Sequence, residues 1–188
     1  SAGKYSAQTG LSSDAQCQAC AAGKFSVAGA GQTSIAVCDQ LCSAGKWSAA
    51  IGITSDAQCQ GRCSAGKFSA QTGLTSDEQC LACPAGRWSN ETGSDACKVC
   101  SAGFYSNLTM RTTASSCKAC PAGRHLEDQG TSADNHDSVD DCQPCPVLTY
   151  NPLTGLGEAC YPCLTARSYV DPSGSYQFLE KCFWLRKI

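Results

Sequence analysis

Large apolar side chains are sparse in this sequence and recur at nearly regular intervals. In each of the first six intervals one aromatic residue follows a short Ala-Gly phrase, and a long stretch rich in Ser, Thr, Gly, Asp and Gln comes after it. These aromatics are Tyr5, Phe25, Trp47, Phe68, Trp88 and Tyr105. Because the apolar residues do not recur with the 3.6-residue period of a helix, the pattern predicts short strands and turns with almost no helix.

The intervals are copies of one repeat. Residues 64–83 differ from residues 1–20 at four of twenty positions, and weaker copies fill the rest of the chain. Ending each unit at a pair of cysteines predicts nine units: 1–20, 21–42, 43–63, 64–83, 84–100, 101–120, 121–145, 146–163 and 164–188. The seventh contains an acidic insertion at 126–141, and the eighth and ninth diverge most, the ninth being a repeat or a cap. Repeats of about 20 residues are typical of arrays whose units contact mainly their neighbours, so we expect an elongated ladder of small hairpin and turn modules.

The composition indicates that disulfides, rather than an apolar core, stabilise this ladder. Leu, Ile, Val and Phe together account for 27 of the 188 residues, fewer than chains with an apolar core usually contain. The chain also has 17 cysteines, a density typical of secreted chains stabilised by disulfides in an oxidising compartment. The glycine of each phrase suits a turn with positive φ, and we expect the aromatic after it to lie over a disulfide.

Charge and hydropathy exclude several classes of partner. The formal net charge is −2 and no basic cluster is present, so we expect no nucleic-acid partner. No apolar run approaches the roughly 18 residues that a membrane-spanning helix needs. The sequence contains no combination of Ser, His and Asp that indicates a nucleophile. We therefore predict that the chain is not an enzyme and has no cofactor.

The shared phrase follows a cysteine and consists of a small residue or Pro, then Ala, Gly, a basic residue, an aromatic and Ser, and the unit closes with Cys-x-x-Cys. With these features the chain resembles the ephrin-receptor-like cysteine-rich repeat, and it is similar to the first loop of tumour necrosis factor receptor modules. The resemblance extends from Ser1 to about Cys145. It implies an extracellular or cell-surface protein, such as a receptor stalk or a large surface protein of protists and algae. The chain departs from the receptors in lacking the additional cysteines of their ligand-binding modules.

Disulfide connectivity cannot be deduced from sequence alone, but the repeat and the resemblance favour one scheme. In the families named, the cysteine before the phrase bonds to the cysteine that ends the loop. The implied bonds are Cys20–Cys38, Cys42–Cys59, Cys63–Cys80, Cys83–Cys97, Cys100–Cys117, Cys120–Cys142, Cys145–Cys160 and Cys163–Cys182. Cys17 is left over, and we expect its partner to lie immediately before Ser1, where the first unit is truncated. Zinc binding and a Cys-x-x-Cys redox site are the alternatives, both less favoured because nine similar units in series indicate scaffolding.

Two further features concern the surface. Asn90 and Asn107 begin N-glycosylation sequons at the same place in consecutive units, so we expect both to lie in exposed loops and to carry N-linked glycans. The insertion at 126–141 contains six acidic residues. We interpret it as a solvated loop, with a calcium loop as the alternative, because it lacks an ordered spacing of ligands. His125 and His136 are too isolated to indicate a metal or catalytic site.

These observations favour a structural function. The first hypothesis is a glycosylated, disulfide-laddered rod in an extracellular assembly, such as a surface fibre or a flagellar hair resembling a mastigoneme. Its expected partners are other copies or other proteins of that assembly. The alternative is a receptor or adhesion ectodomain that binds a protein ligand. Near-identity of the units favours the rod, and unit 7 is where divergence would place a ligand.

Overall fold

The computed structural model describes residues 1–162 and the strands at 169–170 and 176–177. These residues form nine two-stranded antiparallel hairpins, one within each predicted unit, and no α-helix. The strands are β1 (Lys4–Tyr5), β2 (Gln18–Ala19), β3 (Lys24–Phe25), β4 (Gln40–Leu41), β5 (Lys46–Trp47), β6 (Gly61–Arg62), β7 (Lys67–Phe68), β8 (Leu81–Ala82), β9 (Arg87–Trp88), β10 (Lys98–Val99), β11 (Phe104–Tyr105), β12 (Lys118–Ala119), β13 (Arg124–His125), β14 (Gln143–Pro144), β15 (Thr149–Tyr150), β16 (Tyr161–Pro162), β17 (Tyr169–Val170) and β18 (Tyr176–Gln177). Consecutive strands pair, β1 with β2 and so on. The predicted fold class, small disulfide-rich hairpin repeats, is confirmed.

A short 3-10 turn precedes the first cysteine of most pairs. Six such turns lie in the described part of the chain, at Asp14–Gln16, Ile35–Val37, Asp56–Gln58, Asp77–Gln79, Ala114–Ser116 and Val139–Asp141, and a seventh 3-10 turn, Ala133–Asn135, lies inside the insertion and ends before His136. In unit 4, Gln79 Oε1 accepts hydrogen bonds from the backbone N–H groups of Thr75 at 2.6 Å and Ser76 at 3.3 Å. The side chain thereby satisfies donors that a helix start leaves unpaired. The Ser-Asp-x-Gln sequence thus encodes the turn that brings Cys80 to its partner.

Seven disulfides close the loops of the described residues. They join Cys20 to Cys38, Cys42 to Cys59, Cys63 to Cys80, Cys83 to Cys97, Cys100 to Cys117, Cys120 to Cys142, and Cys145 to Cys160. These are seven of the eight pairs expected from the sequence; Cys163–Cys182 lies outside the described residues. Cys17 has no disulfide partner within the part of the chain described. The disulfides are the core, since six of these half-cystines, among them Cys63 and Cys83, are completely buried.

Three of the phrase aromatics pack on the disulfide that closes the loop of the following unit. Phe25 contacts the cluster of Cys42, Cys59 and Ile53, as predicted for an aromatic over a disulfide. Equivalent clusters join Trp47 to Cys63, Cys80 and Leu74, and Tyr105 to Cys120, Cys142 and Leu126. Disulfide and aromatic therefore belong to different units, and neither unit forms this core alone.

An aliphatic residue completes each of these clusters, so the aromatic is not the only large apolar side chain over the disulfide. Ile53, Leu74 and Leu126 are all buried. Ile53 and Leu74 also form parallel bridges with the aromatics Phe25 and Trp47 of the preceding unit. Ile53 and Leu74 each lie four residues before the middle residue of a 3-10 turn, and this recurrence was the signal in the sequence. Leu126 takes instead the position of the phrase serine, because its N–H donates to Leu156 O as that of Ser48 donates to Leu74 O.

Backbone hydrogen bonds and close backbone approaches connect units with the next unit and with the one after it. Between units 2 and 3, Gly23 N–H donates to Ser48 O at 2.9 Å and Ser26 N–H to Ile53 O at 3.3 Å. Between units 2 and 4, a Cβ placed on Gly23 would lie 2.2 Å from the carbonyl oxygen of Gly73, so only glycine fits there. The expectation that units contact mainly their immediate neighbours was therefore too narrow. Three consecutive units interlock.

Substituting Gly23→Ala tests this interlock. Gly23 has φ 73°, and the neighbouring carbonyl leaves no space for a side chain. Gly31 in the same unit is the matched control, because it has φ 82° but open space around its Cα. Gly31→Ala should lower the free energy of unfolding by about 1 kcal/mol from backbone strain alone, and Gly23→Ala by about 2 kcal/mol more from the overlap. Urea unfolding of the oxidised protein, followed by tryptophan fluorescence, measures both. Equal losses would contradict the interlock.

Candidate functional site

A polar clasp recurs in units 1, 3 and 4. In unit 4, Asp77 Oδ1 accepts hydrogen bonds from the N–H of Ser64 at 2.8 Å and from its Oγ at 3.0 Å. Asp77 Oδ2 lies 2.6 Å from Lys67 Nζ. The same arrangement joins Ser43, Lys46 and Asp56, and joins Ser1, Lys4 and Asp14. The carboxylate thus links the start of the phrase to the far side of the loop, beside the disulfide.

The clasp lowers the pKa of each aspartate. The hydrogen bond from Lys67 is the main cause for Asp77, and that from Lys46 is the main cause for Asp56. Lys4 has the same effect on Asp14. The side chains of Asp77 and Lys67 are 30% and 21% exposed, so solvent screens the pair only partly. The clasp is ionised at neutral pH and acts as a structural crosslink.

In units 5 and 7, where the loop has no matching aspartate, an arginine takes the place of the lysine. Arg87 Nη1 donates to Cys97 O at 3.0 Å, and Arg124 Nη1 donates to Cys142 O at 2.9 Å. Both bonds reach the cysteine that closes the loop, so the basic residue of the phrase serves the same purpose in each case. Neither the aspartate clasp nor the arginine contact was predicted from the sequence. The signal for the clasp was the constant ten-residue spacing from Lys to Asp in the first, third and fourth units.

The insertion at 126–141 folds around its own carboxylates. Asp128 accepts hydrogen bonds from the N–H groups of Thr131 at 3.2 Å and Ser132 at 3.1 Å, and Thr131 is the main cause of its lowered pKa. Asp141 Oδ2 accepts from the N–H of Ser138 at 2.8 Å. Within the described residues no group of three or more His, Cys, Asp or Glu side chains is arranged to hold a metal ion. These carboxylates are engaged with the loop's own backbone.

His136 is not the isolated residue that its sequence position indicates. Its side chain is completely buried, with Nδ1 at 2.7 Å from Phe104 O and Nε2 at 3.2 Å from Asp128 Oδ2. Its carbonyl oxygen accepts from Ser106 N–H at 2.8 Å, as the carbonyl of Leu74 accepts from Ser48. His136 therefore occupies the place of the buried aliphatic residue between two units. His125 lines a cavity of about 390 Å³ together with Glu127 and Asp141.

Both sequon asparagines are exposed immediately beyond a strand. Asn90 follows β9 and Asn107 follows β11, and both are solvent-exposed, as expected. Asn90 Oδ1 accepts a hydrogen bond from Lys98 Nζ at 3.2 Å. The structure leaves both sites accessible.

The comparisons with known proteins agree with the module type. Residues 86–137 match the family model described as tyrosine-protein kinase ephrin type A/B receptor-like. The match spans unit 6 with parts of units 5 and 7, and it confirms there the resemblance inferred from the phrase. Together with the disulfide ladder it identifies an extracellular type of disulfide-rich module. No curated protein matches the sequence. Among the described residues, no helix has the length and apolar character required to cross a membrane.

The clasp predicts an acid-sensitive contribution to stability. The pKa of Asp77 is lower in the folded chain than in the unfolded chain, where it is about 4. The clasp therefore stabilises the fold fully at a pH above the unfolded-state pKa. This stabilisation is lost as the pH falls through the folded-state pKa. Asp77→Asn should lower the free energy of unfolding by about 1 kcal/mol at pH 7, and the difference from wild type should shrink below about pH 4.

The control for this prediction is Glu78→Gln. Glu78 is the exposed neighbour of Asp77 and forms no ion pair with the described residues. Its substitution should leave both the stability and its pH dependence nearly unchanged. Chemical unfolding of the three proteins between pH 2.5 and 7 in about 0.1 M salt measures the effect. A constant difference between Asp77→Asn and wild type across this range would show that the ionised carboxylate is not what stabilises the loop.

Proposed function

We propose that this chain is a structural, N-glycosylated, disulfide-laddered rod within an extracellular assembly, such as a surface fibre or a mastigoneme-like flagellar hair. The observation that carries the proposal is the interlock of three consecutive units. Gly52 N–H donates to Cys20 O, Gly73 N–H to Cys42 O, and Gly93 N–H to Cys63 O, at 2.7 to 2.8 Å. The same contact at each step makes a stack whose length is set by the number of units.

The covalent organisation supports a role under mechanical load. Each disulfide spans a sequence separation of 14 to 22 residues, so tension along the chain cannot extend the residues inside a loop. Only the short links between loops, such as Leu81 and Ala82 between Cys80 and Cys83, carry the backbone from one unit to the next. Those links are themselves strands paired within hairpins. A rod built this way resists both unfolding and proteolysis.

The proposal includes no catalysis and no cofactor. The buried polar side chains of the described residues are mostly the serines that follow the phrase aromatics, Ser26, Ser48, Ser69, Ser89 and Ser106. Each donates its backbone N–H to the next unit. They therefore serve the stack. The expected partners are other copies of the chain or other proteins of the assembly, and the glycans at Asn90 and Asn107.

A receptor or adhesion ectodomain is the second candidate, and unit 7 is the observation that favours it. The insertion adds exposed acidic side chains, among them Glu127, which lines the cavity of about 390 Å³. A protein ligand with a basic surface would suit this position.

Imaging of native material tests the two candidates against each other. Antibodies raised against residues 1–162 should label filaments or fibres at regular intervals if the chain is a structural rod. Labelling of isolated molecules on the cell surface would overturn the structural proposal and support an ectodomain.

The shape of the isolated chain provides a separate prediction. If the stack continues without folding back, its radius of gyration in solution should lie well above the roughly 16 Å of a compact 188-residue domain. Small-angle scattering of the oxidised protein measures it, with a globular domain of similar mass as the control. A value near 16 Å would mean that the units fold back on one another.

A further inference from the structure

Units 5 and 6 share a surface feature that the other hairpins lack. In each, the sequon asparagine lies two residues after the phrase aromatic, and a lysine pairs with that aromatic across the hairpin. Trp88 pairs with Lys98 and Tyr105 with Lys118. In the other hairpins of 1–162 the residue at this position is Gln18, Gln40, Gly61, Leu81, Gln143 or Tyr161. Sequon and cross-strand lysine therefore occur together.

The geometry at unit 5 brings the three side chains together. Lys98 Nζ lies 5.2 Å from the centroid of the Trp88 ring, within the range of a cation–π contact. The same ammonium donates to Asn90 Oδ1 at 3.2 Å and to Glu91 Oε1 at 2.7 Å. Lys98 thus holds the carboxamide of Asn90 by its oxygen, beside the half-buried tryptophan. The nitrogen of the carboxamide is the atom to which a glycan attaches.

We propose that the first N-acetylglucosamine on Asn90 packs against a platform formed by Trp88 and Lys98, and that Tyr105 and Lys118 form the same platform for Asn107. The apolar face of a pyranose ring suits an aromatic surface, and the ammonium group donates to the sugar's oxygens. The glycans are then part of the fold of units 5 and 6. This inference rests on the N-glycosylation included in the proposed function.

The linkage itself requires a donor of known class. The amide nitrogen of Asn90 attacks C1 of the reducing-end sugar of a lipid-diphosphate-linked oligosaccharide. The C1–O bond breaks, the diphosphate leaves with its electron pair, and the amide nitrogen loses one proton. Exposure of Asn90 and Asn107 gives this reaction access to both sites.

Amine acetylation of the native glycoprotein, followed by peptide mass spectrometry, tests the platform. Three forms are compared: the intact glycoprotein, the form trimmed by an endoglycosidase to one N-acetylglucosamine per site, and the form from which an amidase removes the whole glycan. Lys98 and Lys118 should react several-fold more slowly in the first two forms than in the third. Lys24 is exposed in a unit without a sequon and should react equally in all three.

The amidase leaves aspartate at position 90, and the new carboxylate would slow acetylation of Lys98, so a faster reaction cannot come from that change. The Asn90→Gln variant removes the glycan without adding charge. In it Lys98 should become reactive while Lys118 stays protected. Equal rates for Lys98 with one sugar and with none would overturn the platform but leave glycosylation intact. Unmodified Asn90 and Asn107 in native material would overturn the glycan part of the proposed function as well, while the imaging of filaments remains a separate test.

Discussion

The structure depends on a disulfide buried beneath an aromatic ring from the preceding unit. A disulfide that closes a loop of this length restricts the unfolded chain by about 3 kcal/mol, which is small beside the ordering of a whole unit. The covalent bond is therefore necessary but not sufficient. Cys63 and Cys80 are buried because Trp47 and Leu74 cover them, so each unit becomes ordered only in contact with its neighbours. This is why a chain with so few large apolar residues forms a continuous ladder.

The glycine of the phrase determines how closely the units approach. Its positive φ makes the turn that leads into the first strand of the hairpin, and its missing side chain admits the backbone of the unit two steps away, as at Gly23 and Gly73. Alanine at this position would destabilise the fold in two ways, because it disfavours the positive φ and because its Cβ would overlap the carbonyl of the other unit. Contact between next-but-one units also means that bending the stack at one interface disturbs the adjacent interface. The array should therefore behave as a stiff element rather than as flexibly linked beads.

Much of this architecture could be predicted from the sequence, because the repeat makes each position recur. The hairpin units, the loop-closing cysteine pairs and the glycine turns follow from it directly. The clasp of Lys67 and Asp77 was also present in the sequence as a constant spacing, but its significance depends on a loop geometry that spacing alone does not give. His136 could not have been assigned, since the insertion shifts its position relative to the cysteines. Its correspondence to Leu74 is seen only in the structure, where the carbonyl groups of His136 and Leu74 each accept a hydrogen bond from the phrase serine of the preceding unit.

The interface between units is carried by backbone atoms, and this explains how the units diverge while the ladder persists. The acceptor from the next unit is a carbonyl group, supplied in turn by Gln32, Ile53, Leu74, Ser94, Arg111, His136 and Leu156. A carbonyl is present whatever the side chain, so substitutions there alter packing without removing the hydrogen bond. The loops between the phrase and the next cysteine are then free to change. Sequons in units 5 and 6 and the insertion in unit 7 are placed in those loops, so surface chemistry varies from unit to unit while the backbone contacts between units are kept.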